Sequence, residues 1–222
     1  MLEKILKDNT HLFADVISLK NRKLFKLILS AENKTLTTDV IKNSDTLGNY
    51  INKLLVDAGA DIAYGGYLEN RSIYKKSEHF GGENDDARTV HLGVDLWADA
   101  GEPVYSPGEA KIHSFKNNAN FGDYGATIIL EHEIDAVKFY TLYGHLSMQS
   151  LENKNTGQQI GAGEQFATLG KVSENGSWPP HLHFQIISDM QNYSGDFPGV
   201  CAVKEIPIFK NMCPDPLLIL NI

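Results

Sequence analysis

From Thr89 onward the chain runs in short stretches with period-two patterning: VHLGVDLW, EPVYS, AKIHSF, ATIILEH, VKFYTLYGHL and HLHFQII. Successive side chains of a strand point to opposite faces, so this pattern gives each run two distinct faces and favours strand over helix. The runs are rich in β-branched and aromatic residues. Turn signals separate them, among them Asp99-Ala100-Gly101, Ser106-Pro107-Gly108 and Asn175-Gly176. Together they predict a mainly β domain built on an antiparallel sheet.

Residues 1–80 read differently, as a mixed helical and strand N-terminal extension ahead of a β domain spanning 81–222. Asn9 and Thr10 offer a cap for a short helix reaching Leu19, and KLFKLILS (23–30) has strand-like content. Leu47, Ile51, Leu54 and Leu55 recur at helical spacing between Asp45 and Ala58, and Ala58-Gly59-Ala60 closes that helix. A chain of 222 residues with 42% apolar content can bury one sizeable core. The apolar tail CPDPLLIL is expected to dock back on the body.

The formal net charge of -8, with both signs mixed along the chain, leaves no basic stripe of the kind that follows a phosphate backbone. Nucleic acid is therefore not an expected partner. The N-terminus is amphipathic and interrupted by Lys7, Asp8, His11 and Asp15, which is not the pattern of a secretory leader. No stretch approaches the roughly 18 apolar residues of a membrane span. The chain thus reads as soluble and cytoplasmic, with no oligomeric state implied. Cys201 and Cys213 read as buried thiols of the core.

PPHLHF (179–184) places two histidines one residue apart ahead of an apolar run. If HLHFQII is a strand, His181, His183 and Gln185 share a face. An isolated HxH can equally be an exposed polar face. His91 and Asp95, spaced i and i+4, project together from a strand or a helix, although such a pair can simply be hydrogen-bonded to itself. In VKFYTLYGHL, alternation puts Phe139, Thr141, Tyr143 and His145 on one face; the plain alternative is an edge histidine in a turn. Together these elements supply four histidines and one aspartate. Structural zinc sites lean on cysteine, whereas three N/O ligands with an open fourth position suit hydrolytic zinc, leaving two histidines for proton transfer. Gln185 is a candidate to orient the ligating rings, and Tyr143 either does so or is simply a packing aromatic. His113 and His132 read as surface or packing residues.

At this point the residues resemble a known family. HLGVDL, then AGEPVYSPGEAKIHSF, LYGHLS, GQQIGAGEQFATLG and PPHLHF, in that order between Val90 and Ile187, are similar to the catalytic domain of M23 (lysostaphin/LytM-type) zinc metallopeptidases. The resemblance implies a Zn2+ cofactor held by His91, Asp95 and His183, with His145 and His181 assisting catalysis. It further implies hydrolysis of a peptide or amide bond by metal-activated water, on a small or cell-wall-like substrate. The alternative is a metal-containing binding or regulatory module that keeps the fold without turnover. Relatives of that kind commonly lose ligand positions, and none of the five is missing here. RTVHLGVDLW, DYGATIILEH, FYTLYGHLS, NGSWPPHLHFQII and DFPGV, with CPDP near the end, also look like a variant of this module fused to kinase-like phosphotransferase and aminotransferase modules in larger intracellular polypeptides. In latent family members a preceding segment can cover the cleft and place an asparagine on the metal, which draws attention to Asn70, Asn84 and the GGEND loop. GGYLENR reads as a connecting loop, or as a pocket wall in which Arg71 meets a carboxylate.

Overall fold

A computed structural model describes residues 1–71, 87–220 and 222. Its strands are β1 (Leu24–Lys26), β2 (Ile62–Gly65), β3 (Val90–His91), β4 (Val94–Trp97), β5 (Pro103–Tyr105) and β6 (Ala110–Asn118), followed by β7 (Gly125–Ile134), β8 (Val137–Leu146), β9 (Gln159–Ile160), β10 (Gln165–Thr168), β11 (Leu182–Ile187) and β12 (Val200–Cys201). The helices are α1 (Leu2–Asp8), α2 (Ser44–Ala58) and α3 (Ile206–Met212). Eight strands form one sheet in the order β1-β2-β4-β11-β8-β7-β6-β9, while β5/β10 and β3/β12 make separate ribbons. Every pairing is antiparallel except β1 with β2, so the chain adopts the expected mainly β, antiparallel architecture.

The longest hairpin shows how local chemistry sets register. β7 and β8 meet through Asp135 and Ala136, both with left-handed backbone (φ 52° and 60°), the two-residue turn whose twist matches that of the strands. From there, alternation distributes side chains to the two sheet faces. Ile128 and Leu130 join Tyr143, Leu182, Phe184 and Ile186 in the main core, whereas Ile129, Leu142 and Ile187 join a second cluster with Phe197, Cys201 and Cys213. The main core is closed by Leu6, Val16 and Ile17 from the N-terminal region and by Ile219 and Leu220 of the tail, which docks on the body as expected. Both cysteines are buried and unbridged.

The N-terminal residues differ in part from expectation. α1 ends at Asp8, and Asn9 and Thr10 cap its C-terminus: Asn9 Nδ2 donates to Ile5 O at 3.0 Å and Thr10 Oγ1 to Lys7 O at 2.9 Å. A short polar side chain can serve either end of a helix. Here Val16 and Ile17 are claimed by the core in non-helical backbone, so no helix continues to Leu19. α2 forms as predicted, with Asn43 and Thr46 in a reciprocal capping box and Gly59 closing it in the left-handed conformation (φ 56°). Strands β1 and β2 extend the main sheet, with Ala63, Tyr64 and Gly65 opposite Trp97, Leu96 and Asp95 of β4. Among the described residues, no helix is long and apolar enough to cross a membrane.

Candidate metal centre

β11 lies between β4 and β8, and this adjacency brings three separated sequence motifs together. His183 of β11 is opposite Asp95 of β4 on one side and Gly144 of β8 on the other. His91 arrives from β3. VHLGVDLW is not one strand: it breaks at Leu92-Gly93 between β3 and β4, which pair in different sheets. Gly93 occupies this break for a steric reason. A Cβ on Gly93 would stand 2.7 Å from His183 Cε1 and Nε2 and from Phe184 O, so only glycine lets the imidazole lie against this turn.

The result is a buried triad of His91, Asp95 and His183 whose ligand atoms lie within 4.8 Å of one another. His91 Nε2 is 3.3 Å and His183 Nδ1 3.4 Å from Asp95 Oδ1, and the two nitrogens are 2.8 Å apart. Their other ring nitrogens have partners that only accept. His91 Nδ1 faces Gly66 O at 3.1 Å, and His183 Nε2 faces Gln185 Oε1 at 3.0 Å. Gln185 Nε2 in turn donates to Pro198 O and Cys213 Sγ, which fixes its amide oxygen toward His183. With both rings neutral, two nitrogen lone pairs and a carboxylate oxygen converge with no proton among them. Asp95 Oδ1 is buried and accepts no hydrogen bond. Such a cluster of acceptors is costly unless a cation sits there, and two imidazoles with one carboxylate are a donor set that zinc accepts.

Electrostatics keep the triad ready for a cation. Burial, with Arg71 adding to it, lowers the His91 pKa to about 3, so its Nε2 is unprotonated at neutral pH. Burial works against the charge of Asp95, but His91 and Arg71 outweigh it and hold the carboxyl well below its usual range. Because His91 is neutral at physiological pH, the Arg71 guanidinium is the charge that matters there. Arg71 Nη1 donates to Asp95 Oδ2 at 2.6 Å. The carboxylate partner read for Arg71 from the sequence is thus within the chain itself.

His145 and His181 flank the triad in a cavity of about 240 Å3 that also exposes Trp97, Tyr124 and Trp178. His181 sits just ahead of β11, with Nε2 3.7 Å from Asp95 Oδ1 and its ring stacked on Trp97 at a centroid separation of 4.1 Å. His145 does not follow the alternation expected of its strand. Tyr143 packs against Phe184 and Phe166 in the main core, but His145 has left-handed backbone (φ 61°), which turns its ring to within 4.2 Å of His181. Of its two readings, Tyr143 is thus the packing aromatic and not a group that orients the triad imidazoles; its hydroxyl pairs with Thr141, which also bonds His132. Each flanking histidine donates Nδ1–H to a backbone carbonyl, His145 to Asn175 O at 2.8 Å and His181 to Pro179 O at 2.7 Å, so Nε2 carries the lone pair. Burial lowers both, His181 to about 4 and His145 well below its ordinary value.

Residues 89–194 match the model of peptidase family M23. The M23 motifs read from the sequence thus fall in a segment, just under half of the chain, that is similar to this family. Among solved structures, the chain is similar to a zinc containing peptidase from Vibrio cholerae (28% identity, TM-score 0.33), covering 44% of this chain and 27% of that one. It is also similar to the catalytic domain of the antimicrobial peptidase lysostaphin from Staphylococcus simulans (29% identity, TM-score 0.35), covering 55% of this chain and 80% of that one. The chain thus spans only about a quarter of the Vibrio peptidase's length. A comparison with curated proteins finds no match. The five positions expected from the M23 motifs all line the one cleft. Glu69, Trp97, Tyr124 and Trp178 were not anticipated, although Trp97 stands two residues after Asp95 on the same strand face and could have been read from alternation. Asn70 is exposed and bridges to Val90, outside the cleft lining, while Asn84 and GGEND lie outside the described residues.

Proposed function

We propose that the chain is a zinc-dependent hydrolase of peptide or amide bonds, with His91, Asp95 and His183 holding the metal and His145 and His181 as catalytic residues. The observation that carries this reading is the meeting of two imidazole lone pairs and an unpartnered carboxylate oxygen at one buried point. A zinc ion there would supply the Lewis acid that polarises a scissile carbonyl and lowers the pKa of water. The remaining work belongs to the flanking histidines. Their backbone hydrogen bonds fix the tautomer, and their lowered pKa values keep Nε2 unprotonated at neutral pH, so either ring can take a proton from water. A base of low pKa gives that proton up readily, here to the departing amine. Until it passes that proton on, the ring that has taken it is a donor for the developing oxyanion. Its neighbour Asp95 offsets the transient positive charge on His181.

The substrate class is a peptide or a peptide-like amide, small or cell-wall-derived, admitted through a cleft lined by both aromatic and charged side chains. The decisive experiment measures turnover of small glycyl and D-alanyl amides together with metal content. His145→Ala should abolish turnover and keep the zinc. A His145→Ala variant that retains the rate would remove His145 from the catalytic machinery, whereas a zinc-loaded parent that hydrolyses none of a broad amide panel would favour the non-catalytic binding module.

A further inference from the structure

Arg71 lies outside the segment matched by the M23 family model, yet it is 2% exposed and bound to the heart of the site. Its Nη1 reaches Asp95 Oδ2 at 2.6 Å and its Nε reaches Glu69 Oε2 at 2.7 Å. Glu69 Oε1 accepts the backbone N–H groups of Leu29 at 2.7 Å and Ser30 at 3.1 Å. A continuous chain of contacts therefore runs from the backbone at 29–30 through Glu69 and Arg71 to the carboxylate of Asp95. The two oxygens of Asp95 are divided by it. Oδ2 is tied to the guanidinium, and Oδ1 alone faces the imidazole nitrogens. The planar guanidinium is suited to hold two carboxylates in a fixed relation, which an ammonium cannot reproduce.

We infer that Glu69 and Arg71 are positioning residues that aim Asp95 Oδ1 at the metal, and that the N-terminal region, by anchoring Glu69, sets metal affinity from outside the M23 segment. The inference rests on His91, Asp95 and His183 being the ligands. It has a distinctive sign. A cation near a dication repels it, so if Arg71 acted only through its charge, removing it would tighten zinc binding. If it positions Asp95, removing it weakens binding, on the order of 10- to 100-fold for loss of a partner that orients a ligand.

The test is zinc affinity by chelator competition on the full chain, with the absorption spectrum of the cobalt-loaded protein as a readout of ligand geometry. The parent must first bind zinc and lose it in His91→Ala; if it binds none, the ligand reading fails before this inference is reached. Given a binding parent, Arg71→Met should bind zinc 10- to 100-fold more weakly with an altered cobalt spectrum, and Arg71→Lys should recover only part of the loss. Glu69→Gln, which keeps the acceptor for Leu29 and Ser30 but loses the charge facing Arg71, should shift affinity in the same direction by a smaller factor. Unchanged or tighter zinc binding by folded Arg71→Met overturns the inference. Should Arg71→Met not fold, an unchanged affinity and cobalt spectrum in Glu69→Gln does so.

Discussion

His91 Nε2 and His183 Nδ1 face each other at 2.8 Å across Asp95 Oδ1, each turned inward by a hydrogen bond on its far side. A cation bound there stabilises only the folded chain. Zinc at about one hundred times its dissociation constant should add roughly 2.7 kcal/mol, seen as a rise in melting temperature that a chelator reverses. The His91→Ala, Asp95→Ala double variant should neither hold zinc nor respond to it, and an equal rise in the variant would place the ion elsewhere.

Gly93→Ala tests the close approach that defines the site. The added Cβ would meet the His183 ring and Phe184 O at 2.7 Å, and both belong to a central strand that cannot recede. Overpacking of this kind costs about 1–3 kcal/mol. Urea unfolding should show that loss in the metal-free protein, and zinc competition should show weakened binding as His183 is pushed off line.

Trp97 stacks on His181, so Trp97→Leu should lower kcat while metal content stays at the parent level. Misplacing a proton-transfer group by about an ångström can cost up to 100-fold. Trp97→Phe, which restores a stacking face, should recover most of the rate. Loss of zinc in Trp97→Leu would show that the stack supports the metal site itself.

His132 provides a pH prediction separate from the metal. It is buried between Glu109 O and Thr141 Oγ1, and burial lowers its pKa from the ordinary 6.5 to about 4. The unfolded chain takes up this proton near pH 6.5 while the folded chain does not until about 4. This group therefore leaves stability intact above 6.5 and removes it progressively as pH falls to 4, by on the order of 3 kcal/mol. Denaturant unfolding of the parent and of His132→Gln across that window should show the parent losing stability more steeply on acidification. Parallel curves would contradict the assignment.

Much of the architecture was legible because it is written in local periodicity. The runs from VHLGVDLW to HLHFQII became strands, and Leu47 to Ala58 became a helix with its glycine stop, since period and capping are properties of neighbouring residues. Misreadings arose where one residue's chemistry serves two purposes. Asn9 and Thr10 can cap either helix end, and only the burial of Val16 and Ile17 decided which. Alternation carried His145 to the face of Tyr143, but a single left-handed residue at the strand's end reversed it.

By itself, then, the sequence determined the strand content and singled out His91, Asp95, His145, His181 and His183 as candidates for one site. Those are consequences of residue type and spacing. Only the tertiary structure decided that β4, β11 and β8 are neighbours, that Gln185 turns the His183 ring, and that Arg71 and Glu69 tie Asp95 to the backbone at Leu29 and Ser30. These relations join residues up to dozens of positions apart. They depend on strand order and on which buried charge finds which partner, quantities that the whole packed sheet sets and no local pattern encodes.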